Sequence, residues 1–472
     1  MKHLYILLVC FLFAGSIQSQ ILFQKSYGGP RDDKGYSGFQ TPDGGYIFCG
    51  NYSTATEHYF YLVKTDDMGD TLWTKRYLSD RDNCAYRIKP TTDTCYIIAG
   101  YSGAWQSNYT QDVFLLKVKA NGDSIWGRTY GMPGTYSEEG FDVIQCKDGG
   151  YMMAGCYFAT SSGYYYVVKT GSTGIQKWTR SYNVASSSSA KSVIQTLDGY
   201  YALSGPVFNS SYNHVGIAKI DSVNAPQKWF KNINVGGLEQ LPTQVKQLPD
   251  SSYIILASVN VSGTNSDMCI VKTNSHGDSI FTKKFAKGRC QYIDTTSDGG
   301  YVVAGHTSLV NGSAKLVKLN SNFDTLWTKT YPPISGFLYS TIFEVHQTAD
   351  KGFIMIGSTN GFSYFDALLI KTDSLGNIVL LVTGMTPAGP KSDVKIYPNP
   401  FSDQTKIILP NDGKRVHLKI MNTQGVEVKS YYASGKEITI NRNELKQGSY
   451  TLLILDVDDG ESIIAVKKII ID

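Results

Sequence analysis

The chain has 472 residues, with 44 Lys+Arg against 40 Asp+Glu, a formal charge of +4 and 18% charged residues, below the roughly 25% usual in soluble domains. This length allows two or three domains. The 42% hydrophobic content excludes a disordered chain, the balanced charge excludes nucleic-acid binding through a basic surface, and the 46 glycines and 33 tyrosines point to strands joined by tight turns.

Lys2 and His3 precede an apolar run, Leu4 to Gly15, shorter than the about 20 residues that a bilayer-spanning helix needs. Small and polar residues follow from Ser16 to Gln20. This is the layout of a secretory signal peptide, residues 1–19, cut near Ser19. No later stretch is apolar enough for a transmembrane segment, so the mature chain is expected to be exported without one. Of the eight cysteines, only Cys10 lies in the leader. Cys49, Cys84, Cys95, Cys146, Cys156, Cys269 and Cys290 remain, irregularly spaced, with no metal-site pattern. Buried thiols within strands are expected, and the spacing yields no disulfide pairing.

An anchor of the form Asp-x-x-aromatic then recurs roughly every 50 residues, close to the spacing of propeller blades. It begins at Asp43, Asp93, Asp148, Asp198, Asp250, Asp298 and Asp350. A short apolar strand follows each anchor ("YIFCG", "YIIAG", "YMMAG"). Two apolar residues and a lysine come next, at Lys64, Lys117, Lys169, Lys219, Lys272, Lys318 and Lys371. A polar turn leads into "LWTKRY" or a relative, with Trp73, Trp126, Trp178, Trp229 and Trp327 in one equivalent place and Phe281 standing in once. Each unit therefore predicts four short strands, the first two joined by the Asp-Gly-Gly hairpin. Seven such units predict an all-β chain with a seven-bladed β-propeller over residues 20–384. "ILFQKSY", Ile21 to Tyr27, aligns with "TLWTKRY", Thr71 to Tyr77, while the seventh unit lacks a tryptophan strand. The first strand is thus expected to complete the last blade. The run "DGGYIFCG" followed by "YLVKTDDMGDTLW" resembles kelch-like propellers.

Residues 385–393, rich in proline and glycine, read as a linker. Residues 394–472 alternate apolar and polar positions, which predicts a small immunoglobulin-like β-sandwich. They carry Tyr397-Pro398-Asn399-Pro400, a turn ending at Gly425, Leu445-x-x-Gly448-x-Tyr450, and a terminal Lys467-Lys468. These elements, in this order, resemble the type IX secretion C-terminal sorting domain of the Bacteroidota. The resemblance implies the type IX secretion machinery as a partner. It also implies a destination at the outer-membrane surface or outside the cell.

For chemistry the chain offers little. It has no HExxH, no GxSxG and no P-loop, and its turns, such as Asp66–Asp70, lack the bidentate Glu of a calcium loop. No catalytic residue, metal or cofactor is expected. The repeated lysine recurs in every unit, whereas a ring-lining site would vary between blades, so it is read as structural. The anchor Asp is read as a turn residue and the tryptophans as packing between blades. Asp70-Thr71-Leu72, Asp123-Ser124-Ile125, Asp278-Ser279-Ile280 and Asp324-Thr325-Leu326 resemble the O-glycosylation signal of the Bacteroidota. The loops between second and third strands vary most and are rich in Ser, Asn, Tyr and Gly. Trp105, the one tryptophan outside the repeat position, with Tyr109, Tyr157, Tyr212 and Tyr364 is the candidate aromatic platform for a protein or glycan. A monomeric, non-enzymatic binding protein is expected. A polysaccharide hydrolase or lyase with a propeller active site is one alternative, and a structural or adhesion component of the surface is another.

Overall fold

The structure, a computed structural model, describes residues 22–378 and 394–471 apart from short stretches at 30, 79–81, 104–110, 133–135, 160–161, 186, 210, 261–265, 308–311, 335–336, 362–363, 410–414, 422–426, 444 and 458–461. Alternating side chains and closely spaced turns leave antiparallel sheet as the way to satisfy the backbone, and among the described residues no helix forms. The chain divides into two compact units, one spanning Leu22–Leu380 and one holding the C-terminal segment.

The longer unit contains seven four-stranded antiparallel sheets among its described residues. Sheet 1 gives the plan: Lys34–Gln40, Tyr46–Ser53, His58–Thr65 and Thr71–Tyr77, from the axis outward. The first strands of sheets 2 to 7 are Asp82–Pro90, Ser137–Gln145, Ser192–Gln195, Gln240–Gln247, Arg289–Thr295 and Phe337–Gln347. Each first strand packs against the first strand of the next sheet, and that of sheet 7 against that of sheet 1. The sheets therefore close a ring, which is the architecture of a β-propeller. The outer strand of sheet 7 is Phe23–Tyr27, paired with Phe365–Thr372 so that Phe23 faces Lys371 and Tyr27 faces Ala367. The chain's first described strand completes its last sheet, as the alignment of "ILFQKSY" predicts.

The repeated letters build the seams. The outer-strand aromatic of one sheet covers the outer turn of the next: a Cβ on Gly69, Gly122, Gly174, Gly277 or Gly376 would run into Phe23, Trp73, Trp126, Trp229 or Trp327. These turn glycines also have positive φ, so both their space and their backbone favour glycine. Where sheet 6 has Phe323 at this place, Phe281 packs on it with ring centroids 6.3 Å apart. The outer-strand tyrosine ties the same turn: Tyr27, Tyr130, Tyr182 and Tyr331 donate to the carbonyls of Gly69, Gly174, Ala225 and Gly376 at 2.6–2.8 Å.

Within each of the seven sheets the lysine at the end of the third strand reaches its own anchor Asp, at 2.5–3.5 Å. The Asp also accepts from the backbone of its own hairpin, as Asp43 does from the Gly45 N–H at 3.1 Å. Lys64, Lys169, Lys318 and Lys371 further donate to the carbonyl of the following residue. The seven cysteines are free thiols, six of them buried. Burial pushes the Cys156 and Cys290 thiols up to about 12.

The C-terminal unit packs a three-stranded sheet (Lys395–Tyr397, Gln404–Ile408, Glu437–Asn441) against a four-stranded one (Glu427–Ser434, Arg415–Met421, Gly448–Asp456, Ser462–Ile471). Phe401, Ile407, Leu418, Ile440, Leu452 and Ile469 form its common core. This is a small β-sandwich.

Candidate functional site

The seven first strands meet at the axis, and each carries one equivalent position that holds six different residue types across the seven sheets. These residues are Ser37, Arg87, Asp142, Ser192, Gln244, Tyr292 and Glu344. Five of them accept a backbone N–H from a neighbouring first strand: Ser37 from Ile88, Asp142 from Val193, Ser192 from Val245, Gln244 from Ile293 and Glu344 from Gly38, at 2.7–3.3 Å. Arginine has no acceptor, and Arg87 instead lies 3.3 Å from Asp142 and 3.2 Å from Glu344.

Two residues further along the strands the network crosses the axis. Lys89 of sheet 2 reaches Glu344 of sheet 7 at 2.9 Å and donates to the Tyr292 hydroxyl of sheet 6 at 3.0 Å. His346 bridges Asp294 (Nδ1, 2.6 Å) and Glu344 (Nε2, 2.9 Å), and Lys246 holds Asp294 at 2.9 Å. Burial alone would raise the Glu344 carboxyl, but the charges of Lys89 and Arg87 outweigh it and hold it well below the ordinary value. Burial alone would lower the His346 imidazole; the hydrogen bonds to Asp294 and Glu344 outweigh it and raise it. Each carboxylate is matched by a cation, so the network joins sheets 2, 3, 5, 6 and 7 through compensated charge.

One residue nearer the start of each first strand lies a ring of side chains: Tyr36, Tyr86, Phe141, Lys191, Thr243, Gln291 and Phe343. In six sheets this residue sits at a β-bulge, which re-aims a side chain. The aromatic members touch in order around the axis, Phe343–Tyr36 at 5.0 Å, Tyr36–Tyr86 at 5.2 Å and Tyr86–Phe141 at 5.4 Å.

The same end of the propeller carries the loops between second and third strands. Trp105 and Tyr109 lie outside the described residues. Tyr157 packs among Tyr136, Tyr164 and Tyr166, while Tyr212 is 39% exposed and Tyr364 is 40% exposed. Tyr364 is partnered by Arg31, whose guanidinium is 5.5 Å from the ring. Tyr157, Tyr212 and Tyr364 belong to or adjoin sheets 3, 4 and 7, and no ring contact joins any two of them. A further cluster absent from the predicted set is Tyr52, Tyr59 and Arg76, with the Arg76 guanidinium 3.5 Å over the Tyr52 ring. Its residues lie on second, third and fourth strands, and only the register brings them together. Among the described residues no group of acidic, His and Cys side chains could hold a metal ion.

In the C-terminal unit the expected motif residues converge. Asn399 accepts the Ile470 N–H at 2.8 Å, and Phe401 donates to the Ile470 carbonyl at 3.0 Å. The Tyr397–Pro398 and Asn399–Pro400 bonds are cis, and Tyr397 is left largely exposed. Gly448 pairs with Ile471, Tyr450 with Ile469, and Lys467 and Lys468 with Leu452 and Thr451. Leu445 is in the core, and Tyr450 donates to the Lys446 carbonyl at 2.8 Å. Gly425 lies outside the described residues.

Residues 395–472 match the secretion system C-terminal sorting domain. They are a sorting domain of that family. The sorting domain implies the type IX machinery and directs export across the outer membrane, to the cell surface or the extracellular space. No curated protein matches the chain. Among solved structures, a puromycin hydrolase is 10% identical with a TM-score of 0.50 over 82% of this chain and 61% of that one, a likeness of fold alone. The extracellular domain of a one-component system from B. thetaiotaomicron is 12% identical, with a TM-score of 0.43 over 96% of this chain and 57% of its own. A protein of unknown function from Dyadobacter fermentans is 8% identical, with a TM-score of 0.45 over 61% of this chain and 93% of its own. The chain thus spans less than two thirds of the first two of these proteins. Among the described residues no helix is long and apolar enough to cross a membrane.

Proposed function

We propose that this protein is a non-enzymatic binding module, exported by a leader at residues 1–19 and the sorting domain, whose propeller recognises a protein or glycan through the loops between second and third strands. On this reading residues 20–384 are a seven-bladed, kelch-like ring, residues 385–393 a linker, and the mature protein a monomer. The observation that carries the reading is the concentration of aromatic side chains at one end of the ring. Tyr212 and Tyr364 are exposed there, and Tyr52 and Tyr364 each have a guanidinium beside the ring. Tyrosines of this kind supply rigid contact area with a polar tip at small entropic cost.

The mature chain, screened on a glycan array and by pull-down of surface proteins, is expected to retain a defined partner. Tyr212→Ala or Tyr364→Ala is expected to weaken that partner by about tenfold, since aromatic anchors commonly carry ~1–2 kcal/mol or more of a contact. Degradation of a sugar polymer by the wild-type chain, with no retained partner, overturns the reading in favour of a hydrolase or lyase.

A further inference from the structure

The ring above the axial network is divided by chemistry. Phe343, Tyr36, Tyr86 and Phe141 form a continuous aromatic arc over four consecutive sheets. Lys191, Thr243 and Gln291 occupy the other three, with the small Thr243 between two longer polar side chains. All seven residues keep part of their surface accessible. The Lys191 ammonium lies 3.2 Å from the centroid of the Phe141 ring, and it has no ion pair or hydrogen-bond acceptor among the described residues. The Gln291 amide likewise has no partner there. By contrast, the charges of the network that crosses the axis one step below are each answered at 2.6–3.3 Å.

The Lys191 ammonium is thus held on an aromatic wall without an ion pair among the described residues, whereas Arg87, Lys89 and Lys246 of the network below each meet a carboxylate. Glu139 is the one carboxylate that acts on it electrostatically. Its hydrogen-bonding neighbour is the Tyr86 hydroxyl at 3.4 Å, and burial raises its carboxyl above the ordinary value. Burial likewise holds the Lys191 ammonium below the ordinary lysine value, and the nearby Cys156 thiol and Glu139 offset this only in part. An anion delivered to this level would find a cation with its pairing capacity unspent. Specific small-ligand sites commonly join an apolar or aromatic wall to a few such polar groups.

We propose that the axis holds a site for a uronic-acid unit of a glycan, its C–H face on the aromatic arc and its carboxylate at Lys191, with Gln291 donating to a ring oxygen or hydroxyl. The unit enters from the end that bears the loops between second and third strands, and the Arg87–Glu344–Lys89–Tyr292 network forms the floor. The site is independent of the loop-end tyrosines and stands whether or not those bind.

Calorimetric titration of the full mature chain with digalacturonate and with its dimethyl ester tests this. The acid is expected to bind at least about tenfold more tightly than the ester, the ratio a single charge-assisted contact supplies. Lys191→Met should abolish that preference, Lys191→Arg should keep most of it, and Thr243→Phe should block both ligands by filling the polar arc. Thermal melting of each variant establishes that it is folded; Lys191→Arg and Thr243→Phe carry the test if Lys191→Met is not. Equal binding of acid and ester, an unchanged preference in folded Lys191→Met, or binding of neither ligand by the folded wild-type chain overturns the proposal.

Discussion

Lys169 keeps only 3% of its side chain exposed, while its partner Asp148 keeps 43%. The pair is therefore asymmetric: the buried member depends on the exposed one. Asp148→Ala leaves the ammonium with the Thr170 carbonyl at 3.0 Å and no counter-charge, and it is expected to cost about 1–3 kcal/mol in urea unfolding. Lys169→Met keeps the buried stem and removes the charge that needs a partner, so its cost is expected to be smaller, at most about 1 kcal/mol. The reverse order would show that the pair does not act this way. Burial alone would raise the Asp148 carboxyl, but hydrogen bonds from Lys169 and Lys177 outweigh it and hold it at about 2. Because this lies below the unfolded value of about 3.9, the contribution is complete above about pH 4 and is lost as the pH falls towards 2. An acid titration of Asp148→Asn should accordingly be flatter over that window than that of the wild type. Both letters of the pair were legible in the sequence as repeats with structural roles. Their partnership was not, because it requires the register that sets Met152 opposite Lys169 and brings the hairpin beside the end of the third strand.

At the scale of elements, the strand Phe23–Tyr27 does what the tryptophan strand does elsewhere. Phe23 covers the turn at Gly69, Tyr27 donates to the Gly69 carbonyl at 2.6 Å, and Lys25 pairs with Asp70 at 2.6 Å. It thus both pairs sheet 7 and latches sheet 1, holding the two ends of the long unit together. Phe23 is buried, and Phe23→Ala is expected to cost about 3 kcal/mol through the cavity it leaves. Tyr27→Phe removes one hydrogen bond and should cost only about 0.5–1.5 kcal/mol. Equal losses for the two, measured by thermal or urea unfolding, would contradict the latch. This element was readable because its letters repeat an outer strand that occurs inside the chain. The axial network was not, because Arg87, Asp142, Tyr292 and Glu344 each replace a plain residue in a different unit and share no motif. The signal available was variation itself: the lysine position is constant across the units, while the first-strand position facing the axis changes in nearly every one.

At the scale of the whole molecule, two units answer to different selection of residues. The long unit is held by repeated contacts and closes on itself through Phe23–Tyr27, whereas the C-terminal unit has its own core. Three of the sorting motifs, read as separate stretches of sequence, become one assembly there, because the strand Ser462–Ile471 takes the Asn399 side chain at one point and pairs Gly448–Asp456 along its length. Export information and ring closure thus lie in separate cores. A chain lacking residues 395–472 should therefore still fold its propeller, with thermal unfolding of the long unit unchanged, yet accumulate in the periplasm and be missing from the cell surface and the medium. Asn399→Ala offers a finer test, since it removes the hydrogen bond that joins the first motif to the last strand while sparing the core side chains. It is expected to lower surface display in proportion to the loss of folded C-terminal domain, read by fractionation alongside protease resistance. Normal display of the truncated chain would refute the sorting role, and loss of propeller stability in it would refute the independence of the two cores.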